Sequence, residues 1–446
     1  MVKLVGLLRR FHPVRVLVVG DFMLDTYTTG KIRRISPEAP VSVLHVQKQE
    51  SRPGGAGNVV LNLLALGAEV TAVGRIGRDV GGETLSRLLA QEEGCTPLLY
   101  QEEGFPTPVK NRFIADAQQV IRVDFETPSS LAEELEEEIL QKLPSWLTGV
   151  NVVAISDYAK GFLTKPLLRA LCSQARLEGV PVIVDPKGDD FSRYQGAFMV
   201  KPNLCEAYAA AKLPKEAPLE EVASVLFQIC ACDQLLITRS EAGMTLFERG
   251  GGRQDFPARL KEVKDVTGAG DTVLAMVSVA VASGLTLPHA AELANIAAGI
   301  AIERLGCVRV SLSDLAERLL ALDLDNKIFD EEHLFALKQS LQGKNFRVLG
   351  LHSRTGITAR VLRAIKSLAA KSSGEKLIIY LSDSNPDEEF VSMLTSLAEV
   401  DFVVLQSESL RHLCQSLHPQ EVYHFERGEL ISLSDHAALL PQLASC

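Results

Sequence analysis

The chain has 446 residues, of which 46% are apolar and 23% charged, and its formal net charge is -10. That length suits two domains better than one, and the composition is that of a globular protein with ample core. No Lys/Arg-rich stripe is present, so nucleic-acid binding has no electrostatic footprint, and an anionic ligand must be held by local cations.

The eight cysteines show no paired zinc-type spacing, and Cys230 and Cys232 read as core positions. A reducing cytoplasm is the expected home. The opening MVKLVGLLRRFHP does not read as a secretory signal, because Arg9 and Arg10 break its apolar run. The most apolar stretch, TVLAMVSVAVASGL, is shorter than the roughly 18 residues of a membrane span and reads as a buried helix, so no membrane partner is expected.

In chain order, VRVLVVG reads as a β-branched strand ended by Gly20. PVSVLHVQ alternates as a strand does, and RPGGAGNVVLNLLALGA is a Gly-rich turn feeding an apolar helix, followed by the strand VTAVGRIG. The acidic LAEELEEEILQKLPSWL reads as a solvated surface helix. GVNVVAISDYAKG, VPVIVDPKG, AFMVKPNLCEA and DQLLITRSEAGMTLF continue the alternation of strand and helix. This pattern predicts a largely parallel sheet covered on both faces, with its chemistry beyond the carboxyl ends of the strands. The polar tips Asp157, Asp185, Asn203 and Thr238 fall there.

The segment DVTGAGDTVLAMVSVAVASG, starting at Asp265, carries the strongest signal. Gly268 and Gly270 permit a tight turn before an apolar helix that begins near Asp271. A helix N-terminus offers free N–H groups and partial positive charge, which suit a transferring phosphoryl group. Asp271 stands where a carboxylate could accept a proton from an attacking hydroxyl. By itself, the turn is equally compatible with a merely capped helix.

VKDVTGAGDTV resembles the C-terminal signature of the PfkB (ribokinase-like) carbohydrate kinases, and RPGGAGNVVLNLLALGAEVTAVGRIGRD resembles their N-terminal signature, about 210 residues upstream. Within that family, GDFMLDTYTTGKIRRISPEAPVSVLHV, SDYAKG, DPKG, KPNLCEA and TRSEAGM are most similar to the kinase half of the bifunctional heptose-7-phosphate kinase / heptose-1-phosphate adenylyltransferases, over roughly residues 10 to 315. The resemblance implies a ribokinase-like, mostly parallel α/β sheet flanked by helices and carrying a small β-lid. It also implies ATP and Mg2+ as cofactors and a small-molecule sugar phosphate as partner.

The residue roles that the resemblance implies are as follows. Asp271 is the base, and Gly268, Ala269 and Gly270 form the anion hole. Asp21, Asp25, Gly54, Gly55 and Asn58 meet sugar hydroxyls, with Asp157 and Asp185 at the neighbouring strand tips. Asn203 and Glu206 hold the phosphates and magnesium, Glu206 through water. Thr238, Arg239, Ser240 and Gly243 line the ATP pocket. For the phosphate already on the sugar, Lys110 and Arg112 are the first candidates, since they alternate on one strand. Lys160 and Lys187 are second choices. The segment IRRISPEAPVSVLHV is expected in the lid, where relatives often pair as homodimers.

The kinase-like domain is expected over residues 1-318 and a nucleotidyltransferase-like domain over 319-446, with a hinge around Asp323 to Lys327. NFRVLGLHS, EKLIIYLSDS, VDFVVLQ and PQEVYHF read as strands of a small Rossmann-like module. The adenylyltransferase turn His-x-Gly-His is missing: the chain reads SRTGITAR, with His352 the only nearby histidine. HFERGE replaces a later Lys-Gly-Gly-Asp-type segment. Without paired imidazoles the leaving pyrophosphate loses its local support, so this module is expected to be catalytically degenerate. The expected reaction is phosphorylation of D-glycero-D-manno-heptose 7-phosphate at its anomeric hydroxyl, in ADP-heptose synthesis for lipopolysaccharide. Three alternatives stay open: another sugar phosphate, a surviving second activity, and a non-catalytic binding protein.

Overall fold

Valines at 16, 18 and 19 make RVLVVG extended, and every residue of that strand after Arg15 is buried, as a central parallel strand requires. The computed structural model describes residues 4–116, 118–258, 263–322, 327–369, 375–383, 386–405, 407 and 409–433. The chain forms two compact units, one spanning Phe11–Ser311 and the other containing Leu312 onward together with the 3-10 turn Leu4–Arg10. The division therefore falls before the expected 318/319, because the helix Leu312–Leu322 packs with that first turn and with the helix Leu334–Leu341. Residues 323–326 of the expected hinge lie outside the described residues.

In the larger unit the strands run β1 (Arg15–Gly20), β2 (Phe22–Ile35), β3 (Ser42–Gly55), β4 (Glu69–Gly77), β5 (Cys95–Glu102), β6 (Val109–Ala115), β7 (Gln118–Phe125), β8 (Val152–Ser156), β9 (Val182–Asp185), β10 (Met199–Val200), β11 (Gln234–Thr238), β12 (Met244–Glu248) and β13 (Gly252–Phe256). Among the described residues nine of them form one sheet in the order β13-β12-β11-β10-β9-β8-β1-β4-β5. Pairings from β11 through to β5 are parallel, and only the β11–β12–β13 edge is antiparallel. Its helices are α1 (Ala56–Ala65), α2 (Val80–Ala90), α3 (Glu133–Leu147), α4 (Lys165–Leu177), α5 (Leu204–Ala211), α6 (Leu219–Cys230), α7 (Ala269–Ala282) and α8 (Leu287–Ile302). The acidic α3 exposes Glu133, Glu134, Glu137 and Glu138 and buries Ile139, Leu143, Trp146 and Leu147, as its surface-helix pattern predicts. Cys230 and Cys232 are fully buried in the core.

The strands β3-β2-β6-β7 make a separate four-stranded sheet, the lid. Its long strands β2 and β3 pair from Phe22–Gly55 at the root to Ile35–Ser42 at the tip. The root is buried and the tip exposed, so one hairpin links the core to solvent. No helix among the described residues is long and apolar enough to cross a membrane.

The smaller unit has its own sheet, in which β15 (Phe346–Leu351) pairs in parallel with β16 (Lys376–Leu381) and β18 (Glu421–Glu426). The strand β14 (Ile328–Phe329) joins through β17 (Phe402–Val404), and β19 (Glu429–Ser432) closes the far edge antiparallel. Separate apolar clusters cover its two faces, one around Phe346, Val348 and Ile378 and the other around Leu349, Ile365 and Ile379.

Candidate active site

The candidate site is built around the N-terminus of α7. Gly268, with φ 79, precedes the helix in a left-handed conformation that an L side chain rarely adopts. A Cβ there would stand 2.6 Å from Asn58 Nδ2, and one on Gly270 would meet Asp185 and Lys201 at 3.5 and 3.6 Å. The glycines thus let the bend close onto three side chains from other elements. Residues Asp271–Ala280 of α7 are all buried, so the apolar helix is a core element with its N-terminus at the strand tips.

Asp271 is 3% exposed. Asn58 Nδ2 donates to its Oδ2 at 2.8 Å, and the Tyr158 hydroxyl donates to its Oδ1 at 2.8 Å. Burial raises the carboxyl to about 7; Asp185 adds to the rise, while Asn58, Tyr158 and Lys201 oppose it. A carboxylate poised there can take a proton from a hydroxyl at neutral pH.

Alongside lies a cleft of about 490 Å³ whose lining includes Asp157, Tyr158, Asp185, Lys187, Lys201, Asn203, Glu206, Thr238, Ser240, Gly243, Ala269 and Gly270. The expected strand tips do converge: Asp157 follows β8, Asp185 ends β9, and Thr238 ends β11, bridged to Asn203. Lys201 Nζ pairs with Asp185 Oδ1 at 2.9 Å, and both lie beside the Gly270 backbone. Asn203 and Glu206 form a capping box at the start of α5, and the other Glu206 oxygen meets Lys187 Nζ at 2.8 Å. The donor chemistry of Asp185 and Glu206 fits a magnesium ion that keeps most of its waters.

Several expected residues point elsewhere. Asp21 turns inward and accepts backbone N–H groups of Tyr158, Lys160 and Phe162 at 2.9, 3.0 and 3.3 Å. Asp25 is buried in an ion pair with Arg112 at 2.5 Å, which takes Arg112 away from the role of free phosphate cation. Gly54 makes room for that pair, since a Cβ there would fall 2.2 Å from Asp25 Oδ2. Gly55, with φ 56, lies against the Asp21 carbonyl. Arg239 donates to the Ala242 carbonyl and pairs with Asp255, and it does not line the cleft. Lys110 and Lys160 converge on Glu126, at 3.4 and 2.7 Å, and Lys110 also meets Asp124 at 3.2 Å. Lys187 lines the same cleft as Glu206.

Sequence reasoning did not single out Tyr158, Lys201 or Glu126. The first two stand within SDYAKG and KPN, at the strand ends where chemistry was expected, and that position was the available signal. Glu126 follows the edge strand of the lid and carries no local pattern.

The profile described as pfkB family carbohydrate kinase matches residues 14–314. This chain belongs to that family. It is a sugar kinase with a ribokinase-like α/β fold. Among curated proteins, "Bifunctional protein HldE" of Trichlorobacter lovleyi is 39% identical over 93% of this chain and 88% of its own length. The protein of the same name from Citrifermentans bemidjiense is 44% identical over 72% of this chain and 66% of its own length. Among solved structures, Escherichia coli phosphofructokinase-2 in complex with substrates and products matches with TM-score 0.59 at 19% identity, covering 70% of this chain and 100% of that one. Arabidopsis thaliana ribokinase complexed with ribose and ATP matches with TM-score 0.54 at 18% identity, covering 69% and 99%. The pfkB match ends where the second unit begins, whereas the likeness to the Trichlorobacter protein spans most of both units.

In the second unit, His352 Nδ1 lies 2.7 Å from Asp383 Oδ1, and Asp383 Oδ2 accepts the Ser353 N–H at 2.6 Å. The sole histidine of that strand end is therefore tied to a carboxylate at the carboxyl ends of β15 and β16.

Proposed function

We propose that the chain catalyses ATP-dependent phosphorylation of D-glycero-D-manno-heptose 7-phosphate at its anomeric hydroxyl, giving the 1,7-bisphosphate for ADP-heptose synthesis. The observation that carries this reading is the buried Asp271 carboxylate at the N-terminus of α7, next to Ala269 and Gly270, which line the cleft. The curated relatives named "Bifunctional protein HldE" support the sugar assignment, one over 93% of this chain and the other over 72%.

In this reaction Asp271 removes the hydroxyl proton as the sugar oxygen attacks the γ-phosphorus, and the bond to ADP breaks. N–H groups of residues 268 to 270 receive the equatorial oxygens of the moving phosphoryl group. Lys201, beside Gly270, adds positive charge at the same place. Asn203, Thr238, Ser240 and Gly243 border the nucleotide side. Asp185 and Glu206 would hold a magnesium ion, which when bound would offset charge on the phosphates. Lys110 and Lys160 are the cations that receive the sugar's own phosphate, since both already converge on one anionic group, the Glu126 carboxylate, whose place a phosphate can take.

A homodimer through the lid follows from its exposed apolar residues Ile35, Val41, Val46, Val120, Ile121 and Phe125. The working compartment is the cytoplasm, where ATP is made and spent. The second unit does not transfer adenylyl groups, because its SRTG turn supplies no paired imidazoles.

ADP release measured across a panel of sugar phosphates tests the substrate. Heptose 7-phosphate should give the highest kcat/KM, and a clear preference for another sugar phosphate contradicts the assignment. Pyrophosphate release from ATP and heptose 1-phosphate tests the second unit, and release at rates comparable with the kinase step would restore a second activity.

A further inference from the structure

We propose that Tyr158 is the positioning residue of the kinase reaction: its phenol and the Asn58 amide form a two-donor clamp that fixes both oxygens of Asp271 toward the acceptor hydroxyl. The inference rests on the reading of Asp271 as base.

The two donors reach the carboxylate from different parts of the chain. Asn58 comes from α1 and is held in turn by Asn62, whose Nδ2 donates to the Asn58 carbonyl at 2.9 Å. Tyr158 comes from the loop after β8 and also lines the cleft. One neutral donor per oxygen fixes the plane of the carboxylate, and each oxygen keeps a lone pair for the incoming proton.

The loop that carries Tyr158 is built to keep the phenol in place. Asp21 accepts N–H groups from Tyr158, Lys160 and Phe162. Ala159 adopts φ 55, a left-handed conformation costly for alanine, and its N–H is held by Asp157 Oδ1 at 2.8 Å. Arg75 donates to the Lys160 carbonyl at 2.9 Å and to the Ser129 carbonyl at 2.7 Å. Gly161, with φ 98, fits only because it lacks a Cβ, which would fall 1.9 Å from the Ser129 carbonyl. Three buried charged residues and one strained alanine thus serve a loop whose only side chain reaching the base is Tyr158. This assigns to Asp21 the support of the base rather than contact with the sugar.

The charged and titratable groups that face Asp271 are Asp185, which opposes its ionisation, Lys201, which favours it, and the Cys307 thiol. Tyr158 is held neutral by burial, with its pKa pushed well above the ordinary phenol value, so it remains a donor across the working range. A donor to the anion favours ionisation, and removing it leaves burial and Asp185 less opposed.

The test is the titration of the Asp271 carboxyl in the full-length protein, read by infrared difference spectra against D271N, for the wild type and for Tyr158→Phe. The clamp predicts a midpoint in the phenylalanine variant higher by roughly one pH unit, the size expected for one lost charge-assisted hydrogen bond. It also predicts that the acid limb of kcat moves up in step while the KM for the sugar phosphate stays within about twofold. Asp21→Asn, which loosens the loop from a distance, should shift the midpoint in the same direction and by less. An unmoved midpoint in Tyr158→Phe overturns the proposal, even where kcat falls. A shifted midpoint in a protein that does not turn over heptose 7-phosphate leaves the clamp standing and removes the substrate reading instead.

Discussion

Asn58 and Asp271 stand 213 residues apart in the chain, and 2.8 Å separates the amide nitrogen of one from the carboxylate of the other. The contact joins the two segments that resemble the family signatures. The Gly-rich turn places Asn58 at the start of α1, and the GAGD turn places Asp271 at the start of α7. Gly268 is what lets the turn close over the amide, because any side chain there would collide with it. The two motifs are thus halves of one site.

Turnover should depend on the ionisation of Asp271. With burial raising the carboxyl to about 7, the base form is lost as pH falls through that value. The expected kcat profile is half-maximal near this pH and drops about tenfold per unit on the acid side. A profile flat down to pH 5 would show that no group with this titration takes the proton. Initial rates of ADP release over pH 5 to 9 at saturating substrates decide it.

The same burial has a cost in stability. The folded pKa lies above the unfolded value of 3.8, so between the two the native state binds more protons than the unfolded state. Stability from this group therefore falls as pH rises through that window, by about 1.4 kcal/mol per unit at most. Asp271→Asn removes the penalty while keeping the shape. It should raise the Tm at pH 8 relative to wild type and have a smaller effect at pH 5. Calorimetry at both values checks the sign, and a larger gain at pH 5 contradicts it.

Glu126 holds the two lysines that are assigned to the sugar's phosphate. Burial works against its ionisation, yet Lys160 and Lys110 keep its carboxyl below the usual range. A phosphate dianion seated on those lysines must displace this carboxylate or suffer its repulsion. Glu126→Gln should therefore lower the KM for the sugar phosphate by about threefold to tenfold, and Lys160→Met should raise it at least as much. Steady-state kinetics with varied sugar phosphate separates the cases. A raised KM in the glutamine variant would make Glu126 a ligand of the sugar instead of a competitor.

Local pattern exposed much of this fold. The β-branched runs of β1, β8 and β9 and the Gly-Ala-Gly-Asp turn have short-range causes, so their places and the strand-tip location of Asp157, Asp185 and Thr238 could be read directly. The partners of charged side chains could not. Arg112 alternates with Lys110 on β6 as expected, but only the pairing of β6 with β2 brings it to Asp25. Asp21 follows the first strand as a sugar ligand should, and only the return of the β8 loop turns it into an acceptor for backbone N–H groups. Tyr158 and Lys201 stood in the right segments, but their link to Asp271 and Asp185 depends on strands that are adjacent in space and distant in sequence.

The central claim is that Asp271 is the base, and the most direct measurement is ADP release by Asp271→Asn with saturating ATP and heptose 7-phosphate. The account predicts a loss of at least roughly a thousandfold in kcat, within the range expected for removing a positioned base, with sugar binding by calorimetry changed little. A variant that retains kcat within tenfold of wild type would contradict it.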